Sequence, residues 1–132
     1  MINFKEEELM FYDILKVGDK EYKLRLSTKE MKNLKEALGG VSPIKAFEKM
    51  GEENDIDYEF IANVIFYAME KEQPKIKLDN VYDMLDEMAD EGKSIENYLA
   101  IVVQIFATCG MLPKEAYEEY VKSLNEDNNE KK

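Results

Sequence analysis

Histidine is absent from all 132 residues, so no Ser-His or Cys-His dyad can be assembled from this chain. Its single cysteine, Cys109, forbids a disulfide within the chain and a thiolate zinc site alike. Base is also scarce: 18 Lys plus Arg face 29 Asp plus Glu, a net charge of −11, which speaks against a nucleic-acid backbone as partner and for basic protein surfaces. Long apolar runs are missing, and Met1 to Glu8 has none behind a basic region, so we expect no membrane segment and a cytoplasmic protein. No internal repeat is visible. What the chain does have is 45% hydrophobic and 36% charged residues, enough apolar area to offset chain entropy in one folded domain. A chain of this length buries roughly two-thirds of its unfolded surface.

The expected fold is α+β and mainly α-helical. Two apolar-rich runs, Phe11 to Val17 and Lys20 to Leu26, flank Gly18-Asp19, which suits a type II′ turn, so 11–26 reads as a β-hairpin. Two strands alone are marginal, and the hairpin must lie against helices. Ser27 or Thr28 caps a helix bearing Met31, Leu34 and Leu38, closed by Gly39-Gly40. Ser42-Pro43 opens a short helix ending before Gly51, and Glu52 to Asp57 reads as loop. A helix from about Asp57 carries Phe60, Ile61, Val64, Ile65 and Ala68 and stops before Gln73-Pro74. Asp79 caps the next, with Val81, Met84, Leu85 and Met88 inward and Gly92 after it. Ser94 then opens a helix to Cys109 that is apolar nearly all round, the expected buried axis at 95–109. Pro113 starts a last helix with Ala116, Tyr117, Tyr120, Val121 and Leu124. That makes about six helices in a single domain over 1–124, with a polar tail at 125–132.

Little here carries chemistry. Cys109 ends the most apolar helix, where a thiol packs as a small hydrophobe with a raised pKa. The methionines at 31, 50, 69, 84 and 88 follow helical stripes as gap-filling core residues do; the sharper alternative is an adaptable binding groove. Asp86-Glu87 with Asp90-Glu91, and Glu115 with Glu118 and Glu119, resemble the paired acidic helices of magnesium-dependent all-α nucleotide pyrophosphohydrolases. Such a site needs carboxylates converging from facing helices, whereas pairs at this spacing occur on most solvated helices. Asn54-Asp55-Ile56-Asp57 lacks the Gly and closing Glu of a calcium loop. No catalytic residue, cofactor or metal is expected, and the chain reads as a non-enzyme.

One helix stands apart in charge. From Asp79 to Glu91 six carboxylates occur with no Lys or Arg among them, more than half of the chain's net charge. At about 100° per residue Asp79, Asp83, Asp86 and Asp90 fall on one side, opposite Val81, Met84, Leu85 and Met88. Like charges four apart repel, and Asp90-Glu91 sits where the helix dipole favours cations. The plain reading is a solvated face screened by salt; the sharper one is a docking face for a basic partner, through Asp83, Asp86 and Asp90.

The order of elements and several strings resemble the tail assembly chaperones of long-tailed (siphovirus-type) bacteriophages and prophages of Gram-positive bacteria. The strings are Tyr22-Lys23-Leu24-Arg25-Leu26-Ser27-Thr28 entering a helix, Ala37-Leu38-Gly39-Gly40 followed by Ser42-Pro43, Val81-Tyr82-Asp83-Met84-Leu85-Asp86-Glu87, and Ala107-Thr108-Cys109-Gly110. They span about Lys20 to Leu124, and none is catalytic. The resemblance implies a small, mostly helical, non-enzymatic protein of the host cytoplasm, absent from the mature virion. It implies as partners the tape-measure protein, which it keeps soluble, and tail-tube subunits, recruited through a longer frameshifted product. The use of lysine at 17 of 18 basic positions, Arg25 being the exception, points to an AT-rich genome. The acidic stripe matches no family motif. An acidic DNA mimic is the rival binding reading, disfavoured because basic residues interleave the acids outside the one helix. Apolar residues without a clear period near the start, and tyrosines on the last helix, suggest a homo-oligomer or hydrophobic-partner contact through Phe4, Leu9, Phe11, Tyr117 and Tyr120. The alternative is that Phe11 and Tyr117 complete the core.

Overall fold

The computed structural model describes residues 13–113 together with 115, 116, 118, 119 and 122. It is a small α+β fold, mostly helical, in which an antiparallel hairpin precedes five helices. The strands are β1 (Asp13–Val17) and β2 (Lys20–Leu24), and Val17 pairs with Lys20 across the two-residue turn. Gly18 takes φ +60° while Asp19 keeps negative φ, the type II′ combination expected of Gly-Asp. Leu15, Val17, Leu24 and Leu26 point into the core; Lys16, Lys20 and Lys23 face out.

The helices are α1 (Thr28–Ala37), α2 (Pro43–Glu53), α3 (Tyr58–Glu70), α4 (Leu78–Asp90) and α5 (Ile95–Thr108). Beyond α5, residues 115, 116, 118, 119 and 122 are helical. Three helices close on a left-handed glycine in the same way. After α1, Gly39 N–H donates to Glu36 O at 3.0 Å and Gly40 N–H to Lys35 O at 2.9 Å, with Gly39 at φ +74°. Gly92 and Gly110 do the same after α4 and α5, where Lys93 N–H reaches Met88 O and Met111 N–H reaches Phe106 O.

Two boundaries differ from the sequence expectation. Gly51 does not end α2: it stays helical, and the chain turns at Asn54, whose φ of +52° is a left-handed conformation that asparagine tolerates. Asp79 does not cap α4. Lys77 is the extended residue before the helix, and its N–H donates to Asn80 Oδ1 at 2.9 Å, which places Asp79 in the first turn. The string Asn54-Asp55-Ile56-Asp57 has a local role, since Asn54 closes α2 and Asp57 Oδ1 caps α3 by accepting from Phe60 N–H at 3.2 Å.

The centre of the molecule also differs. Helix α5 is well buried at Val102, Ile105 and Phe106, yet it is α3 that packs against α1, α4, α5 and β2 together. Its Ile61, Ala62, Val64, Ile65, Ala68 and Met69 are sealed from solvent. A helix surrounded on several sides needs apolar residues around most of its circumference, and α3 meets that condition as fully as α5. Phe47 on α2 closes the far side, stacking on Phe60 at 6.4 Å and meeting Phe106 edge-on at 5.9 Å. Met50, Met69, Met84 and Met88 are buried and Met31 is half-buried against the core, where core fillers are expected.

The outer edge of β2 is covered at Lys23. Lys23 lies opposite Ile14, a position whose own N–H and C=O point away from the partner strand. Both are taken by the Gln73 side-chain amide: Lys23 N–H donates to Oε1 at 2.8 Å and Nε2 donates to Lys23 O at 3.0 Å. The same Nε2 donates to Met69 O at 2.7 Å, and Arg25 N–H donates to Ala68 O at 2.7 Å. One glutamine thus stands in for a third strand and ties it to the end of α3. No helix among the described residues is long and apolar enough to cross a membrane.

Candidate functional site: the acidic face of α4

Helix α4 buries Val81, Met84, Leu85 and Met88 and exposes Asp79, Asp83, Asp86, Glu87, Asp90 and Glu91. The division follows from the 3.6-residue period alone. The six carboxylates do not form one surface, however. Glu91 reaches back to the hairpin, where its Oε1 accepts from Gly18 N–H at 2.8 Å. Glu87 lies over the same turn, its Oε1 only 2.9 Å from where a Cβ on residue 18 would stand. The bond to Glu91 ties the hairpin turn to the end of α4, with Glu87 beside it. Asp79, Asp83, Asp86 and Asp90 remain on the solvent side.

Three tyrosines border that solvent side. Tyr98 of α5 is buried and donates its hydroxyl to Leu85 O at 2.7 Å, pinning α5 to α4. Its pKa is raised by desolvation first, then by Tyr58 and by the charges of Asp86 and Asp90. Tyr58, the first residue of α3, packs edge-on to Tyr98 at 6.5 Å and is 52% exposed, so much of its ring stands in solvent. Tyr82 is half-buried, with its pKa raised by desolvation and then by Glu59, Asp57 and Asp79. The negative surface therefore extends past α4 onto the start of α3.

Sequence reading found Asp83, Asp86 and Asp90, which the structure places together. It missed Tyr58, Tyr82, Asp57 and Glu59, because α3 and α4 are joined only by tertiary packing and no local pattern announces which ends meet. Phe4, Leu9, Phe11, Tyr117 and Tyr120 lie outside the residues whose side chains are described. Glu115, Glu118 and Glu119 are exposed. Among the described residues no group of three or more His, Cys, Asp or Glu side chains is arranged to hold a metal ion. Cys109 is half-buried, its thiol donating to Phe106 O at 3.4 Å; burial pushes its pKa up, partly opposed by the backbone N–H groups of Met111 and Cys109.

What such a face offers is recognition: fixed negative charge beside aromatic area, on a helix held rigid by its buried side. Lysine and arginine side chains pair with carboxylates and lie on tyrosine rings, so the matching surface is basic. Compared with family models, with curated proteins and with solved structures, the chain gives no match in any of the three.

Proposed function

We propose that this protein is a non-enzymatic tail assembly chaperone of a long-tailed phage or prophage, binding the tape-measure protein and helping to recruit tail-tube subunits. The reading rests on the resemblance of its strings. The observation that supports it best is the α4 surface, where four exposed aspartates stand on a helix that holds no lysine or arginine. Such a surface suits the transient holding of a long partner with basic stretches, since rim charge sets on-rate and selectivity and leaves release fast. A sixth helix from Pro113, action in the host cytoplasm and absence from the mature virion belong to the same proposal.

The gene's surroundings and one co-expression test it. A slippery heptamer near the stop codon and a very long helical reading frame downstream are expected. Produced alone, the product of that frame should aggregate; produced with this chain, it should stay soluble and co-purify. Equal solubility with and without the chain contradicts the proposal.

A further inference from the structure

A second surface lies on the other side of the α3 start. The C-terminal turn of α1, helix α2 and the first turn of α3 enclose an open cavity of about 300 Å³. Leu38, Val41, Ala46, Met50 and Phe60 give it an apolar lining, and Val41 is 47% exposed. Its polar lining side chains, Lys49, Glu53, Asp55 and Asp57, are all exposed and stand at the rim. The volume sits at the low end for ligand cavities and suits one or two apolar side chains. The rim is charged unevenly: Glu53, Asp55 and Asp57 stand against Lys49.

We infer that this α1–α2–α3 groove receives an apolar side chain of a basic amphipathic segment of another protein, with the lysines or arginines flanking that side chain lying on Glu53 and Asp55. The charge of the rim selects the occupant. An acidic segment meets three carboxylates, and a neutral apolar one leaves them without partners. The assignment goes beyond the chaperone reading and does not depend on it.

The test titrates the full chain, observed by amide NMR, with three synthetic helical peptides: Lys/Leu amphipathic, Glu/Leu amphipathic and Lys/Ala. The Lys/Leu peptide should give saturable shifts centred on Leu38, Val41, Ala46, Met50 and Phe60, the Glu/Leu peptide none, and the Lys/Ala peptide binding at least roughly tenfold weaker. Glu53 and Asp55 are exposed, so E53K/D55K leaves the fold intact and should weaken the Lys/Leu peptide roughly tenfold. Ala46→Phe, filling the cavity, should abolish the shifts there. Undiminished binding by E53K/D55K, equal binding of the Glu/Leu peptide, or Lys/Leu shifts centred on Asp83, Asp86 and Asp90 instead of the groove would each overturn the inference.

Discussion

Gln73 carries more of the architecture than its position before a proline suggests. Its amide makes three hydrogen bonds joining the β2 edge to the α3 end, two of them solvent-accessible, so their net worth lies toward the low end of the usual range. Gln73→Leu should cost about 1–2 kcal/mol in urea unfolding and speed amide exchange at Lys23. An unchanged midpoint with unchanged exchange contradicts that role. Titration gives a second prediction. Cys109, Tyr67, Tyr82 and Tyr98 all have pKa values raised in the folded state, chiefly by desolvation. Between the unfolded and the raised folded value the unfolded chain releases protons that the folded one keeps, so stability falls as pH rises. It should be fully present below about pH 8.5 and decline through the thiol and then the phenol range. Tyr98→Phe should flatten the upper part of that decline while losing the bond to Leu85 O. A flat profile to pH 11 refutes the account of these groups.

At the scale of elements, most of the fold is legible where local chemistry decides. Gly18-Asp19 specifies its turn, Gly39, Gly92 and Gly110 end their helices, and Ser42-Pro43 and Asp57 begin theirs, because each acts within a few residues. The misreadings occur where two local rules compete. Gly51 looks like a stop, but a glycine inside a helix costs only about 1 kcal/mol, and the buried Met50 and capped Asn54 outweigh it. Asp79 looks like a cap, but Asn80 one residue on satisfies the N–H of Lys77. The contacts of Gln73 with Lys23 and of Glu91 with Gly18 span 50 and 73 residues and leave no local trace. In α4 the solvent aspartates repel one another without a structural return, unlike Glu91. Replacing Asp83, Asp86 and Asp90 together by Asn should therefore leave stability unchanged or raise it by about 0.2–0.5 kcal/mol per repulsion removed. A loss beyond 1 kcal/mol by denaturant titration means that these side chains hold the fold.

At the scale of the whole molecule, a central helix ringed by neighbours presents, among the described residues, the two surfaces proposed above for partners: the acidic side of α4 and the groove above Phe60. Self-association through Phe4, Leu9 and Phe11 is a separate expectation. Sedimentation of the full chain against one lacking Met1 to Met10 decides it, since the terminal-contact reading expects a larger species only with the segment present. A monomer in both cases removes that contact.

The central claim is the proposal that the α4 aspartates recognise a basic partner, and calorimetric titration of a soluble, lysine-rich helical segment of the proposed tape-measure partner into wild type and into the Asp83/Asp86/Asp90→Asn variant tests it most directly. At low salt the variant should bind at least roughly tenfold more weakly and show a shallower salt dependence, with an unchanged unfolding midpoint as its control. Equal affinity and equal salt dependence would contradict the claim and leave the stripe as a solvated face.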